Sequence, residues 1–307
     1  MSEPLFERAA IIGLGLIGSS LALAFRAHGV ATEITGYDRV VDVRARAQAL
    51  GLCDLLAGDP VTAVAGADLV IICVPVGASA QAIADCAPGL RDGAIVTDVG
   101  SVKGAVIRAV TPHMPEHAIF VPGHPIAGTE RSGPEAGFAA LFRDRWCILT
   151  PEPETPGVAC DKVAAFWRRI GSSVEVMDPA HHDLVLAITS HLPHLIAYNI
   201  VGTAADLETV TRSEVIKFSA SGFRDFTRIA ASDPTMWRDV FLNNKEAVLE
   251  MLGRFSEDLA SLQRAIRWED GDTLYDLFTR TRAIRRGIVE AGQDTGAADF
   301  GRKPKAG

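Results

Sequence analysis

The chain has 307 residues, about two domains at roughly 150 residues each, and 48% of them are apolar, so a sizeable core is available. Thirty Lys and Arg against 38 Asp and Glu give a net charge of −8, the wrong sign for a protein that tracks phosphate backbones, so nucleic acid is not an expected partner. Five cysteines, Cys53, Cys73, Cys86, Cys147 and Cys160, contain no C-x-x-C pair, which implies neither a disulfide framework nor a zinc cage and fits reduced thiols in a cytoplasm.

No uninterrupted apolar run reaches the roughly 18 residues of a membrane-spanning helix, and no membrane partner is expected. The apolar stretch 9–24 resembles a signal-peptide core, but Glu3 and Glu7 precede it and spaced glycines break it, which points to folded structure. From residue 8 to about 177, short β-rich runs alternate with helical stretches: AAIIG, LIGSSLALAFRAHG, EITGYD, VVDVRARAQALG, DLVIICVP, SAQAIADCAPGL, AIVTDVG and VKGAVIRAVTPH. Continuous apolar runs such as DLVIICV suit strands buried on both faces, and the alternation predicts a doubly wound, mostly parallel α/β sheet. The later runs AIFVPG, WCILTP and SVEVMD are expected as further strands at one edge, with a helix over 157–170 between the last two.

Asp178-Pro179 pairs an N-cap residue with proline at the first helical position, and from there the pattern is all-helical. Asp233-Pro234 repeats the signal, and the helix it opens is expected to carry Val248, Leu252, Phe255, Leu259, Leu262 and Ile266 at alternating steps of four and three. That stripe suits either packing within the domain or a homodimer interface. The expected division is a dinucleotide-binding domain over 1–178, a helical domain over 179–291 and a disordered polar tail over 292–307.

Gly13-Leu14-Gly15-Leu16-Ile17-Gly18 follows a strand and opens a helix, and Asp38 ends the next strand, which completes a Rossmann-type dinucleotide fingerprint. Gly13 permits the turn, Gly15 lets backbone approach a pyrophosphate, Gly18 lets the helix lie on the sheet, and the N–H groups near Leu16 and Ile17 receive the anion. A carboxylate at Asp38 accepts from ribose hydroxyls and repels a 2′-phosphate, which favours NAD over NADP. Arg39 could partly accommodate that phosphate or be a solvated surface residue. Val74 and Pro75, after DLVIIC, and Asp98, after AIVT, end neighbouring strands and complete the expected cofactor set.

Ligands in such sheets sit beyond the carboxyl ends of the strands, where two segments stand out. In DVGSVK, Ser101 is placed to cap the next helix and to bind at once. In PGHPIAGTE, His124 is the candidate general base or hydrogen-bond acceptor, because imidazole titrates near neutral pH; a loop histidine satisfied by backbone is the plainer account. In Ser190-His191-Leu192-Pro193-His194 the two histidines share a helix face and Pro193 is expected to kink the helix. They could be a core or interface pair or part of a metal site, although no further ligands declare themselves and no metal is expected.

Together DVGSVK, GHPIAGTE, SHLPH and GFRDFTRIAASDPTMWRD resemble the prephenate and arogenate dehydrogenases of tyrosine biosynthesis, from Gly13 to about Asp239. The resemblance implies an NAD(P)-binding Rossmann domain joined to an all-α dimerisation domain, and oxidative decarboxylation of a cyclohexadienyl substrate with hydride transfer to NAD. By motif, His124 would take the proton of the ring hydroxyl and Ser101 would orient it. Arg228 would grip the ring carboxylate, for which a planar guanidinium is suited, unless it pairs structurally with Asp225 or Asp233. His194, His191 and Ser190 would contact substrate, Thr129 and Glu130 would line or gate the pocket, Asp225 or Glu130 could favour the ammonium of arogenate, and Trp237 could close one wall or belong to the core. Many relatives add a chorismate mutase segment or a ligand-sensing domain; neither is expected here, which leaves tyrosine feedback to the active site.

Two other readings compete. A β-hydroxyacid-type dehydrogenase would use a lysine of the helical domain, for which Lys217 and Lys245 are candidates without matching motifs, and a non-catalytic NAD sensor would need no base at all.

Overall fold

A computed structural model describes residues 3–129, 131–206, 217 and 221–290. Glu130 and the expected tail over 292–307 lie outside the described residues. Residues up to Leu249 form one compact unit and those from Glu250 a second.

Strands β1 (Phe6–Ile12), β2 (Ala31–Tyr37), β3 (Leu55–Leu56), β4 (Leu69–Ile72), β5 (Ile95–Asp98) and β6 (Ile119–Val121) form one parallel sheet in the order β3-β2-β1-β4-β5-β6. The order reverses between β1 and β4, so a crevice opens beyond their carboxyl ends. Helices α1 (Leu16–His28), α2 (Val41–Ala49), α3 (Pro60–Val64), α4 (Ser79–Cys86) and α5 (Lys103–Val110) make the crossovers. All four residues of β4 are buried because both faces of the sheet are covered. Leu69 and Ile71 join Ile11, Phe25, Phe166 and Trp167 on one face, while Val70 and Ile72 join Ile12, Ile83, Val96 and Val106 on the other. Each such fully buried side chain contributes about 1.5–3 kcal/mol.

The later runs do not all extend that sheet. AIFV gives β6, but β7 (Gly123–Pro125), β8 (Trp146–Leu149) and β9 (Ser173–Val176) form a separate three-stranded sheet, β7 antiparallel and β9 parallel to β8. The expected loop around His124 is therefore a short strand, in which His124 pairs with Ile148. Helix α6 (Gly157–Arg169) connects β8 to β9 and buries Phe166 and Trp167.

After Asp178 every described element is helical: α7 (Pro179–Leu186), a π-helical turn (Ala187–His191), α8 (Leu192–Asp206), α9 (Ser221–Thr227), α10 (Pro234–Asn243), α11 (Lys245–Arg267) and α12 (Gly271–Glu290). The Asp178 carboxylate accepts from the N–H groups of Ala180 and His181, and that of Asp233 from Met236, as the cap signals require. The helix opened by Pro234 ends at Asn243, so the apolar stripe belongs to a second helix, α11, started after Asn244 leaves helical geometry at φ −110° and ψ 29°. The run 179–206 is 28 residues long, enough by length and composition to cross a membrane even though polar residues interrupt it. Its buried side chains, His182, Leu186, Ala187, His191, Leu192 and Ala197, face the interior of the first unit.

Candidate active site

The glycine loop lies at the reversal of strand order. Gly13 has φ +99°, and a Cβ there would stand 2.4 Å from the Cys73 carbonyl oxygen. A Cβ on Gly18 would stand 1.9 Å from the Gly13 carbonyl oxygen, so both positions require glycine. Gly15 instead faces open space, and as the N-terminal flank of α1 it offers no side-chain cap; the first helical N–H groups, at Leu16 and Ile17, are left for an anion. Asp38 accepts from the N–H of Leu14 at 2.9 Å and of Val40 at 2.9 Å, which ties its carboxylate to this loop. Arg39 is exposed, Val74 is half-buried and Pro75 is exposed beyond the end of β4. These features fit a dinucleotide.

Asp98, expected in the cofactor set, has its side chain engaged within the protein. It is buried, and its carboxylate is taken up by the N–H of Gly100 (2.7 Å), the N–H of Gly123 (3.1 Å) and Lys103 Nζ (2.5 Å). Lys103 is fully buried and also donates to the Gly123 carbonyl at 2.6 Å. This pair bolts the end of β5 to the start of β7, immediately before His124. Ser101 is half-buried between the two, but it does not cap α5. The helix starts two residues later at Lys103, and the Asp183 carboxylate takes its first donors instead, Lys103 N–H at 2.7 Å and Gly104 N–H at 2.9 Å.

His124 is 8% exposed, and its Nδ1 lies 2.9 Å from Nε2 of His182, whose Nδ1 lies 2.9 Å from Asp183 Oδ1. Burial pushes the His124 imidazole well below the usual histidine range, helped by His182, Lys103 and His191, so the ring is neutral at pH 7. His182 is lowered by burial too, against the opposing pull of Asp183. Asn244 Nδ2 donates to the Asp183 carbonyl at 2.9 Å and lies 3.0 Å from His191 Nδ1, and burial lowers the His191 pKa to about 4. Among the described residues, His191 Nε2 is buried without a hydrogen-bond partner, as is Trp237 Nε1.

Trp237 joins the two histidines of SHLPH. His194 stacks on it at 3.7 Å between ring centroids, and His191 meets it edge-on at 6.0 Å. His194 Nδ1 donates to the Ser190 carbonyl at 2.8 Å, and its pKa is lowered by burial and by the charge of Arg228. Trp237 is buried and packs on the second face of the sheet, so it serves core and wall together. Arg228 opens the turn after α9 and is half-buried; Asp225 is exposed beside Arg224 at 3.4 Å; Thr129 is half-buried and accepts from Arg131 N–H. Lys217 and Lys245 are exposed. Among the described residues no cluster of three or more His, Cys, Asp or Glu side chains could hold a metal ion.

The sequence reading missed His182, Asp183, Lys103 and Asn244. Two histidines and an aspartate just inside the Asp178-Pro179 cap were the available signal; nothing local marked Asn244.

Two family models match the chain: the prephenate dehydrogenase nucleotide-binding domain over residues 21–176, and the prephenate dehydrogenase dimerization domain over 178–280. The chain belongs to the prephenate dehydrogenase family. It is 46% identical over 280 residues to a cyclohexadienyl dehydrogenase of Zymomonas mobilis, covering 91% of this chain and 95% of that one. It superposes with TM-score 0.85 and 34% identity on a prephenate dehydrogenase of Aquifex aeolicus in complex with hydroxyphenyl propionate and NAD+, covering 94% and 99% of the two chains. A Synechocystis arogenate dehydrogenase aligns with TM-score 0.78 and 26% identity over 92% and 99%. Residues 21–176, which follow the glycine loop, match a nucleotide-binding domain, and with relatives named as dehydrogenases the β-hydroxyacid and sensor alternatives fall away.

Proposed function

We propose that this protein is an NAD-dependent dehydrogenase that oxidatively decarboxylates prephenate to 4-hydroxyphenylpyruvate, arogenate to tyrosine, or both. The observation that carries the reading is a neutral, buried His124 on the strand that Asp98 ties to the carboxyl end of β5, in a chain similar to enzymes named for these substrates. Gly13, Gly15 and Gly18 with the Leu16 and Ile17 N–H groups would hold the pyrophosphate, Asp38 the ribose, and Val74 and Pro75 the flank. NAD, when bound, supplies the hydride acceptor. The carboxylate of Asp38 favours NAD over NADP.

His124 takes the proton of the ring hydroxyl as C4 is oxidised, and Ser101 orients that hydroxyl. Arg228 holds the ring carboxylate until it leaves as carbon dioxide; its bonding pair completes the aromatic ring, and His124 returns the proton to the phenolate oxygen. His194, His191, Ser190 and Trp237 line the substrate side, with Thr129 and Glu130 at the mouth. General-base catalysis contributes about 10²- to 10⁴-fold, and positioning more.

In this reading residues 1–178 bind the dinucleotide and 179–291 bind substrate and dimerise. The dimerization-domain match and the exposed Ile188, Ile200 and Val201 of the 179–206 run favour a homodimer. Five free cysteines fit a cytoplasmic enzyme. The test is the initial rate of NADH formation from NAD with prephenate and, separately, arogenate. Turnover with at least one is expected, and the two kcat/KM values name the substrate. His124→Ala should lose at least about 10²-fold in kcat while binding NAD normally; absence of turnover with both substrates by NAD-binding protein rejects the assignment.

A further inference from the structure

We propose that His182 and Asp183 are positioning residues that fix the tautomer of His124 and leave its Nε2 lone pair free for the substrate proton. The inference rests on the reaction proposed above. It follows from donor and acceptor counting along one chain of atoms. An ionised carboxylate only accepts, so the 2.9 Å contact between Asp183 Oδ1 and His182 Nδ1 places a proton on that nitrogen. A neutral His182 then has a bare Nε2, which accepts from Nδ1–H of His124 at 2.9 Å. A neutral His124 whose proton sits on Nδ1 is bare at Nε2, the state a general base requires.

Asp183 is set as an acceptor by its surroundings. Both its oxygens accept from the first N–H groups of α5, at 2.7 and 2.9 Å, where the helix dipole favours negative charge. The groups that act on His124 come from three elements: Lys103 from α5, His182 from α7 and His191 from the π-helical turn. Lys103 is already committed to Asp98 and the Gly123 carbonyl, and His191 Nδ1 to Asn244, so neither supplies an acceptor for His124 Nδ1. His182 alone among them does. Burial of His182 and His124 keeps both rings neutral near pH 7, which the counting assumes.

A purely structural role, with His182 filling space and Asp183 capping α5, predicts different behaviour. Replacing His182 with phenylalanine keeps the volume and removes the acceptor, whereas glutamine keeps an acceptor close to the position of Nε2. His182→Phe should lower kcat by roughly 10- to 100-fold with KM changed less than about threefold, and His182→Gln should recover most of the loss. Nitrogen-15 NMR of histidine-labelled wild-type protein should show His124 protonated at Nδ1 and bare at Nε2. A His124 proton on Nε2, or a folded His182→Phe enzyme with wild-type kcat, overturns the proposal. Wild-type protein that turns over neither substrate would instead remove the reaction reading, while the NMR measurement still decides the tautomer.

Discussion

Asp38 works at two distances. Its oxygens accept from the N–H groups of Leu14 and Val40, so the carboxylate proposed to select the ribose also braces the glycine loop. Asp38→Ala should therefore weaken dinucleotide binding and narrow the preference for NAD over NADP; an unaltered ratio of kcat/KM for the two cofactors would place the ribose contact elsewhere. The same economy holds at Asp98 and Lys103. A buried ion pair is costly to desolvate, and removing one member leaves an uncompensated charge at a cost of about 3–5 kcal/mol. Here the pair carries three backbone contacts besides its own, and those fix the strand that presents His124. DVGSVK holds both residues, but no local rule distinguishes a buried structural pair from a ligand contact.

Among the elements, the run 179–206 reconciles a proline with a continuous helix. Pro193 has no N–H and its ring would press on the preceding turn of a regular helix. The π-helical turn Ala187–His191, closed by a bond from the Leu192 N–H to the Ala187 carbonyl, widens the helix just before it. That bulge stands just before the proline expected to kink the helix, in the segment where His191 meets Asn244 and His194 meets Trp237. Asn244 does comparable work at the break between α10 and α11, where its amide bonds both the Asp183 carbonyl and His191. Asn244→Ala should lower stability by about 1–3 kcal/mol, read from the denaturation midpoint, and raise KM through a loosened His191. Unchanged midpoint and KM would mean that packing alone sets the break.

For the whole molecule, three buried histidines, His124, His182 and His191, and the half-buried His194 have lowered pKa values. Between the folded values and the ordinary value near 6.5, the unfolded chain binds more protons than the native one, so stability rises with pH there. The full contribution is present above about pH 6.5 and is lost as pH falls toward the folded values, which for His191 is about 4. The Tm should thus drop between pH 7.5 and pH 5 by more in the wild type than in His191→Asn; equal drops would remove His191 from the effect. In the second unit, Trp268 and Tyr275 are each 71% exposed, and Leu259, Ile266, Phe278 and Ile284 are exposed beside them in sequence. Apolar surface on that scale fits cover by a second copy. Sedimentation should show a dimer; a monomer at micromolar concentration would return the stripe from Val248 to Ile266 to packing within one chain.

Features that depend on neighbours along the chain could be read from the order of residues alone. Steric demands at Gly13 and Gly18, apolar runs long enough for buried strands, and Asp-Pro pairs at helix starts act over a few residues, so the parallel sheet, the dinucleotide loop and the helical second half were all legible. His124, His191, His194 and Trp237 were legible as residue types in motifs, though their contacts were not. The tertiary structure alone decided what depends on partners far apart: His124 with His182 across 58 residues, and α5 capped by Asp183 from 80 residues away rather than by Ser101. It likewise set β7, β8 and β9 apart from the main sheet and broke the helix at Asn244. A hydrogen bond is short-ranged in space but indifferent to sequence separation, so its partner is chosen by how the whole chain packs.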